Sequence, residues 1–189
     1  MATSKAGRIT FTEEASQAGF GYLKGECKWA ELLTPGQFGT FGVKLYGDDV
    51  AEMKEELEAL QASAAKEIDE LGKKYTLADI YKQDEEGKQF LAFKLPEKDY
   101  EGNENKITFY DVVGKKQPDF DSLVGNGSTI KIKYRIAPYF MASTKMIGIS
   151  FKFYAVQILD LKEYSGGDSG FTDESSGEAP FDTTGGEDF

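Results

Sequence analysis

The sequence predicts a mainly β protein: a small Greek-key barrel with one long α-helix inserted between its strands and a disordered acidic tail behind it. Three observations predict this. Residues 129–140 alternate apolar and polar side chains, the period of a half-buried strand. Residues 49–72 instead place Val50, Met53, Leu57, Leu60, Ala64, Ile68 and Leu71 at spacings of three and four, the stripe of an amphipathic helix. After Tyr164 the composition turns abruptly to Gly, Ser, Thr, Asp and Glu.

The elements follow in order. Residues 20–46 read as two strands joined at Thr34-Pro35-Gly36, and Gly39 and Gly42 suggest bulges or a close backbone approach. The helix has Asp48 or Asp49 as its cap and Gly72 as its stop. Its stripe has the spacing of a coiled-coil seam as well, but packing on the barrel is the reading taken. Residues 75–87 read as a turn-rich connection. Strands resume at 89–95 and 106–113, with a charged loop at 97–105 and another around Lys115, Lys116 and Pro118. Gly125-Asn126-Gly127 leads into the strand 129–140, and Ala142-Ser143-Thr144 turns the chain into a long, bent strand over 145–163. About six strands and one helix fit the OB-fold. Residues 1–164 form the domain and 165–189 the tail.

Composition excludes several classes of function. Forty per cent hydrophobic and thirteen per cent aromatic residues describe a globular chain. No apolar run approaches the roughly 20 residues of a membrane span, and no hydrophobic signal region follows Met1, so a cytosolic protein without membrane contact is expected. The lone Cys27 cannot form an internal disulfide, which agrees with a reducing compartment. There is no histidine, which removes the Ser-His-Asp and Cys-His arrangements and the usual zinc sites. No spacing of carboxylates points to catalysis. The expectation is a protein that is not an enzyme and carries neither cofactor nor metal.

The net charge of −11 is unevenly placed. All 22 basic residues and 26 of the 33 acidic ones lie in residues 1–164, and the remaining seven acids lie in a tail with no base. A nearly balanced body can carry a basic face. In 130–139 the even positions are Ile130, Ile132, Tyr134, Ile136 and Pro138, and the odd ones Lys131, Lys133, Arg135, Ala137 and Tyr139. Alternation assigns the first set to the core and the second to one open face. Lys152 and Tyr154 repeat the pairing of cation and ring on the next strand. Such a face suits single-stranded nucleic acid, because cations neutralise phosphates and rings stack on unpaired bases. A solvated sheet face has the same alternation. Phe38, Phe41 and Phe109 are read as core residues.

The tail retains Phe171, Phe181 and Phe189, the last of them terminal. A Phe entering a partner's pocket gains about 1.5–3 kcal/mol, and the surrounding acids would meet a basic rim. Glu187, Asp188 and Phe189 thus form a candidate recognition motif. The same tail can fold back on the cationic face and compete with DNA.

The Gly125-Asn126-Gly127 turn, the alternating Lys131 and Lys133, and Pro138-Tyr139 together resemble the single-stranded DNA-binding proteins of short-tailed (podovirus) phages. The strand and Ala/Glu-rich helix of 41–71 and the Glu187-Asp188-Phe189 ending are similar to the same family. The likeness covers roughly 38–72, 122–164 and the tip. It implies an OB-fold, sequence-independent binding of single strands in phage replication, recombination and repair, strand annealing, and recruitment of phage DNA polymerase and primase-helicase by the tail. It also implies a homodimer and a place in the cytoplasm of an infected bacterial host. On this likeness Lys131, Lys133 and Tyr139 inherit a DNA-binding role. Gln37-Phe38 stands where the family tends to carry a basic residue, so that contact is not transferred. The alternative left open is an acidic DNA-mimic or inhibitor protein that binds a DNA-processing enzyme, for which acid should spread over the folded body.

Overall fold

A computed structural model describes residues 3–5, 8–12 and 20–163. Within them lie strands β1 (Thr3–Lys5), β2 (Arg8–Thr10), β3 (Gly21–Glu31) and β4 (Thr40–Tyr46), helices α1 (Asp48–Glu52) and α2 (Lys54–Glu70), then β5 (Thr76–Leu77), β6 (Lys82–Gln83), β7 (Gln89–Pro96), β8 (Thr108–Tyr110), β9 (Thr129–Met141) and β10 (Met146–Asp160). The tail and its Glu187, Asp188 and Phe189 lie outside the described residues.

Five long strands make the framework, in the spatial order β7-β4-β3-β9-β10. The first three form a meander, and β9 returns to pair with β3, the Greek-key step of an OB barrel. Short strands extend both edges: β6 on β7, and β5 and β8 in parallel with β10. No ladder joins β7 to β10 among the described residues, so the sheet curls without closing. Side chains bridge that seam instead. The Phe93 ring of β7 packs 5.4 Å from Phe151 of β10 and 5.7 Å from Tyr134 of β9.

The inward positions of every long strand supply the core. Leu23, Cys27, Val43, Leu45, Leu91, Phe93, Ile130, Ile132, Ile136 and Phe153 are buried. The helices cover one end, where Val50, Met53 and Leu57 join this core. Further along α2, Ala64, Ala65 and Ile68 pack with Ile147 in a smaller cluster that also takes Ile9 and Phe11. Two polar groups fasten the helix as it passes. The Gln61 amide donates to the carbonyls of Ala78 (2.8 Å) and Ile147 (3.1 Å), and the Tyr81 hydroxyl to that of Val50 (2.7 Å).

Several local expectations change. The helix begins at Asp48 after Gly47, whose φ of 127° and lack of a side chain leave the first turn without a side-chain cap. Asp48 and Asp49 sit inside that turn, where their charges still favour the positive end of the helix. Met53 interrupts the helix between α1 and α2. The stop at Gly72 is as expected: its φ of 67° lets its N–H reach Asp69 O while Lys73 N–H reaches Ile68 O, a Schellman ending.

The connection 75–87 holds two short strands. The strand expected over 106–113 shrinks to three residues, because the Asp111 carboxylate takes up the N–H groups of Val113 and Lys115. The same five-residue loop occurs at Asp84, Asp99 and Asp111. In each, Oδ1 accepts from the N–H two and four residues on, and a glycine three residues on has a φ between 77° and 88°. Phe41 and Phe109 are buried, whereas Phe38 is 86% exposed. It lies on the loop before β4, outside the sheet, where Gly39 (φ 63°) redirects the chain into β4.

Candidate nucleic-acid interface

The pleat of β9 separates its side chains as the alternation requires. Ile130, Ile132, Tyr134, Ile136 and Pro138 are buried, while Lys131, Arg135 and Ala137 are exposed and Lys133 and Tyr139 half-buried. Pairing with β3 and β10 then decides the neighbours of each outward residue.

On the β3 side, Lys24 stands opposite Lys131 and Tyr22 opposite Lys133. The Lys131 ammonium lies 5.7 Å from the centre of the Tyr22 ring, and that of Lys133 lies 4.3 Å from the centre of the Phe20 ring. Both are cation–π distances. Tyr22 is 64% and Phe20 51% exposed. Phe20 meets Tyr154 of β10 edge-on, with ring centres 5.4 Å apart. Tyr154 is free to do so because a bulge between Phe153 and Ala155 leaves it without an opposite residue on β9.

On the β10 side, Lys152 stands opposite Arg135 and Gln157 opposite Lys131. The Gln157 amide donates to the carbonyls of Asp111 and Val112, both at 3.1 Å, and so holds the 111–115 loop against the strand. Tyr22, Lys131, Lys133 and Gln157 with Tyr110 and Gly114 line a cleft of about 300 Å³. Among the described residues, Lys131, Lys133, Arg135 and Lys152 enter no ion pair.

Tyr139 lies elsewhere. It lines a separate cleft of about 430 Å³ at the β7–β10 seam, together with Lys82, Lys94, Ser150 and Phe151. The six outward residues chosen from the sequence thus fall into three groups. Lys131, Lys133 and Tyr154 share a rim with Phe20 and Tyr22, Arg135 and Lys152 pair across the next rung, and Tyr139 faces the seam. Sequence reasoning missed Phe20, Tyr22, Lys24 and Gln157. A signal existed for the first three, since Phe20, just before β3, and Tyr22 and Lys24 within it occupy alternate positions, ring-ring-cation.

No protein-family model and no curated protein matches this sequence. Solved structures do match, and the fold is shared with single-stranded DNA-binding proteins of bacteriophages. In particular, the chain is similar to gp2.5, a single-stranded DNA-binding protein encoded by bacteriophage T7, with a TM-score of 0.60, 20% identity, and coverage of 77% of this chain and 93% of that one. It is also similar to the single-stranded DNA-binding protein from bacteriophage Enc34 (TM-score 0.52, 11% identity, 88% and 92% of the two chains). The same Enc34 protein in complex with single-stranded DNA matches with a TM-score of 0.50 at 12% identity, over 87% and 97% of the two chains.

Proposed function

We propose that this protein binds single-stranded DNA without sequence preference, coating strands exposed during phage DNA replication, recombination and repair. The observation that carries the reading is the seating of cations over exposed rings: Lys133 over Phe20 and Lys131 over Tyr22. Phosphates bind the cations and release counterions, while unpaired bases stack on the rings. A duplex hides its base faces and offers only the first half of that chemistry. The shared fold supports the reading, since the Enc34 protein of that fold was solved with single-stranded DNA.

In this reading Lys131, Lys133, Arg135, Tyr139, Lys152 and Tyr154 contact DNA, and no catalytic step is involved. The acidic end Glu187-Asp188-Phe189 recruits phage DNA polymerase and primase-helicase, with the Phe as anchor and the acids as its polar rim. The protein acts in the cytoplasm of the infected bacterial host and forms a homodimer. The acid concentrated after Ser165 favours this over a DNA mimic, whose folded surface would carry it.

The test is a titration of fluorescently labelled single- and double-stranded oligonucleotides of equal length at two salt concentrations. Preference for the single strand, with tighter binding at low salt, is expected. Equal affinity for duplex and single strand would overturn the proposal.

A further inference from the structure

Trp29 is the one tryptophan of the chain, and the fold holds it in an unusual way. It lies in β3 with a φ of 54°, a conformation that costs a bulky L-residue strain. The cause is a bulge: β3 advances three residues from Lys28 to Glu31 while β4 advances two from Lys44 to Gly42. The surroundings secure the bulge. The Trp29 N–H donates to Asn126 Oδ1 at 2.8 Å. The loop that presents Asn126 is itself tied to β3 by Gly127 N–H to Cys27 O (2.9 Å) and Cys27 N–H to Ser128 O (2.8 Å). All this holds in place an indole that is 67% exposed.

The indole is one wall of a cleft of about 440 Å³, within the size range of small-ligand sites. Leu123, 57% exposed, and Asn126 stand on its rim. The floor is open because Gly42 and Ala92 carry almost no side chain. Lys44 and Lys94 supply positive charge, and the Lys44 ammonium lies 5.9 Å from the centre of the indole ring. The one acid of the lining, Glu31, has its carboxylate against Gly36, with one oxygen 3.9 Å from where a Cβ of Gly42 would lie. Ala92 and Lys94 also line the cleft of Tyr139, so the two clefts adjoin across β7.

We propose that the Trp29 cleft is a nucleobase-stacking subsite. One unpaired base lies against the indole, its flanking phosphates meet Lys44 and Lys94, and the strand continues over β7 towards Tyr139. This inference rests on the DNA-binding reading above and adds to it a second contact surface on the β4–β7 face, away from Lys131 and Lys133. Strain concentrated on an exposed ring fits a binding position, where a folding role would bury the ring.

The sole tryptophan makes the test specific. Full-length protein is titrated with oligothymidine while tryptophan emission and its accessibility to acrylamide are followed. Anisotropy of a labelled oligonucleotide reports binding independently. Expected are quenched emission and protection from acrylamide at the same concentrations at which anisotropy rises. Trp29→Ala should weaken binding by about 5- to 150-fold, the loss of one stacked base. Lys44→Ala should weaken binding and reduce the slope of log affinity against log salt by about 0.7, a change in slope that the loss of its 4.9 Å contact with the Phe90 ring would not by itself produce. Rising anisotropy with unchanged emission, unchanged protection and full affinity in Lys44→Ala would overturn the subsite and leave the DNA-binding function standing. An absence of binding in the anisotropy channel would overturn both.

Discussion

Tyr139 and Gly148 stand directly opposite each other on β9 and β10, and the tyrosine ring fills the space where a side chain at Gly148 would begin. A Cβ placed there would lie 2.5 Å from the ring Cζ and the hydroxyl oxygen. Gly21 and Tyr134 repeat the arrangement between β3 and β9, this time on the core side. In both, a glycine lets an aromatic ring lie against the neighbouring backbone, which protects a weak point of the sheet and fixes the ring.

Gly148→Ala should therefore displace the Tyr139 ring. Overpacking of this kind costs about 1–3 kcal/mol of stability, measurable by urea unfolding. If Tyr139 contacts DNA, the same substitution should also weaken oligonucleotide binding in the manner of Tyr139→Ala. Unchanged stability and affinity would show that the ring yields easily and is not positioned by the glycine.

The cations and rings of the Lys131 cleft should be separable by salt. Lys131→Ala and Lys133→Ala are each expected to reduce the slope of log affinity against log salt by about 0.7. Tyr22→Ala should instead lower affinity by about 1–3 kcal/mol and leave the slope as it was. Binding isotherms at four or five salt concentrations decide this. A slope change for Tyr22→Ala as large as that for Lys131→Ala would argue against stacking.

Deleting residues 165–189 removes seven negative charges and no positive one. Competition by the tail predicts tighter DNA binding by the truncated protein at low salt, with the difference shrinking as salt screens the attraction. Equal affinities for both forms at low salt would count against competition.

Burial in the core pushes the Cys27 thiol from its ordinary 9.0 up to about 11. Above pH 9 the unfolded chain releases this proton while the folded one keeps it. Stability should be independent of this group below pH 9 and should fall as pH rises from 9 towards 11. Tyr46, raised by burial and by the nearby Asp84 to about 12, acts in the same direction at higher pH. Comparison of unfolding midpoints for the natural protein and Cys27→Ala isolates the cysteine: the variant should lose the part of the decline that begins near pH 9. The native thiol should also resist alkylation at pH 8 and react once denatured.

Gly102→Ala tests the repeated aspartate loop. The glycine has a φ of 88°, and nothing lies within 4 Å of the position its Cβ would take, so only backbone conformation opposes the change. A cost of about 1–2 kcal/mol in thermal or urea unfolding is expected. A neutral result would mean that the loop relaxes around the alanine.

Much of this fold was legible in the chain because it rests on local periods. The two-residue pleat assigned every residue from Ile130 to Tyr139 to its face, and the three-four spacing found the helix and its ending at Gly72. The triple Asp-x-x-Gly at 84, 99 and 111 is equally visible, and it accounts for the turn from β6 into β7 and for the shortness of β8; the short strands β1, β2 and β5 carry no comparable local signal. The Asp48 cap failed because Gly47 took the boundary position.

By itself the sequence determined which side chains point outward, since that depends only on how many bonds separate them. Which outward side chains meet was decided by the tertiary structure alone. Strand pairing brought Tyr22 beside Lys133 and Phe20 beside Tyr154, residues more than a hundred positions apart. It also carried Tyr139 to the β7–β10 seam, away from Lys131. Trp29 shows the limit most clearly. Its outward indole comes from a mismatch of one residue between β3 and β4, and a mismatch exists only once both strands are paired.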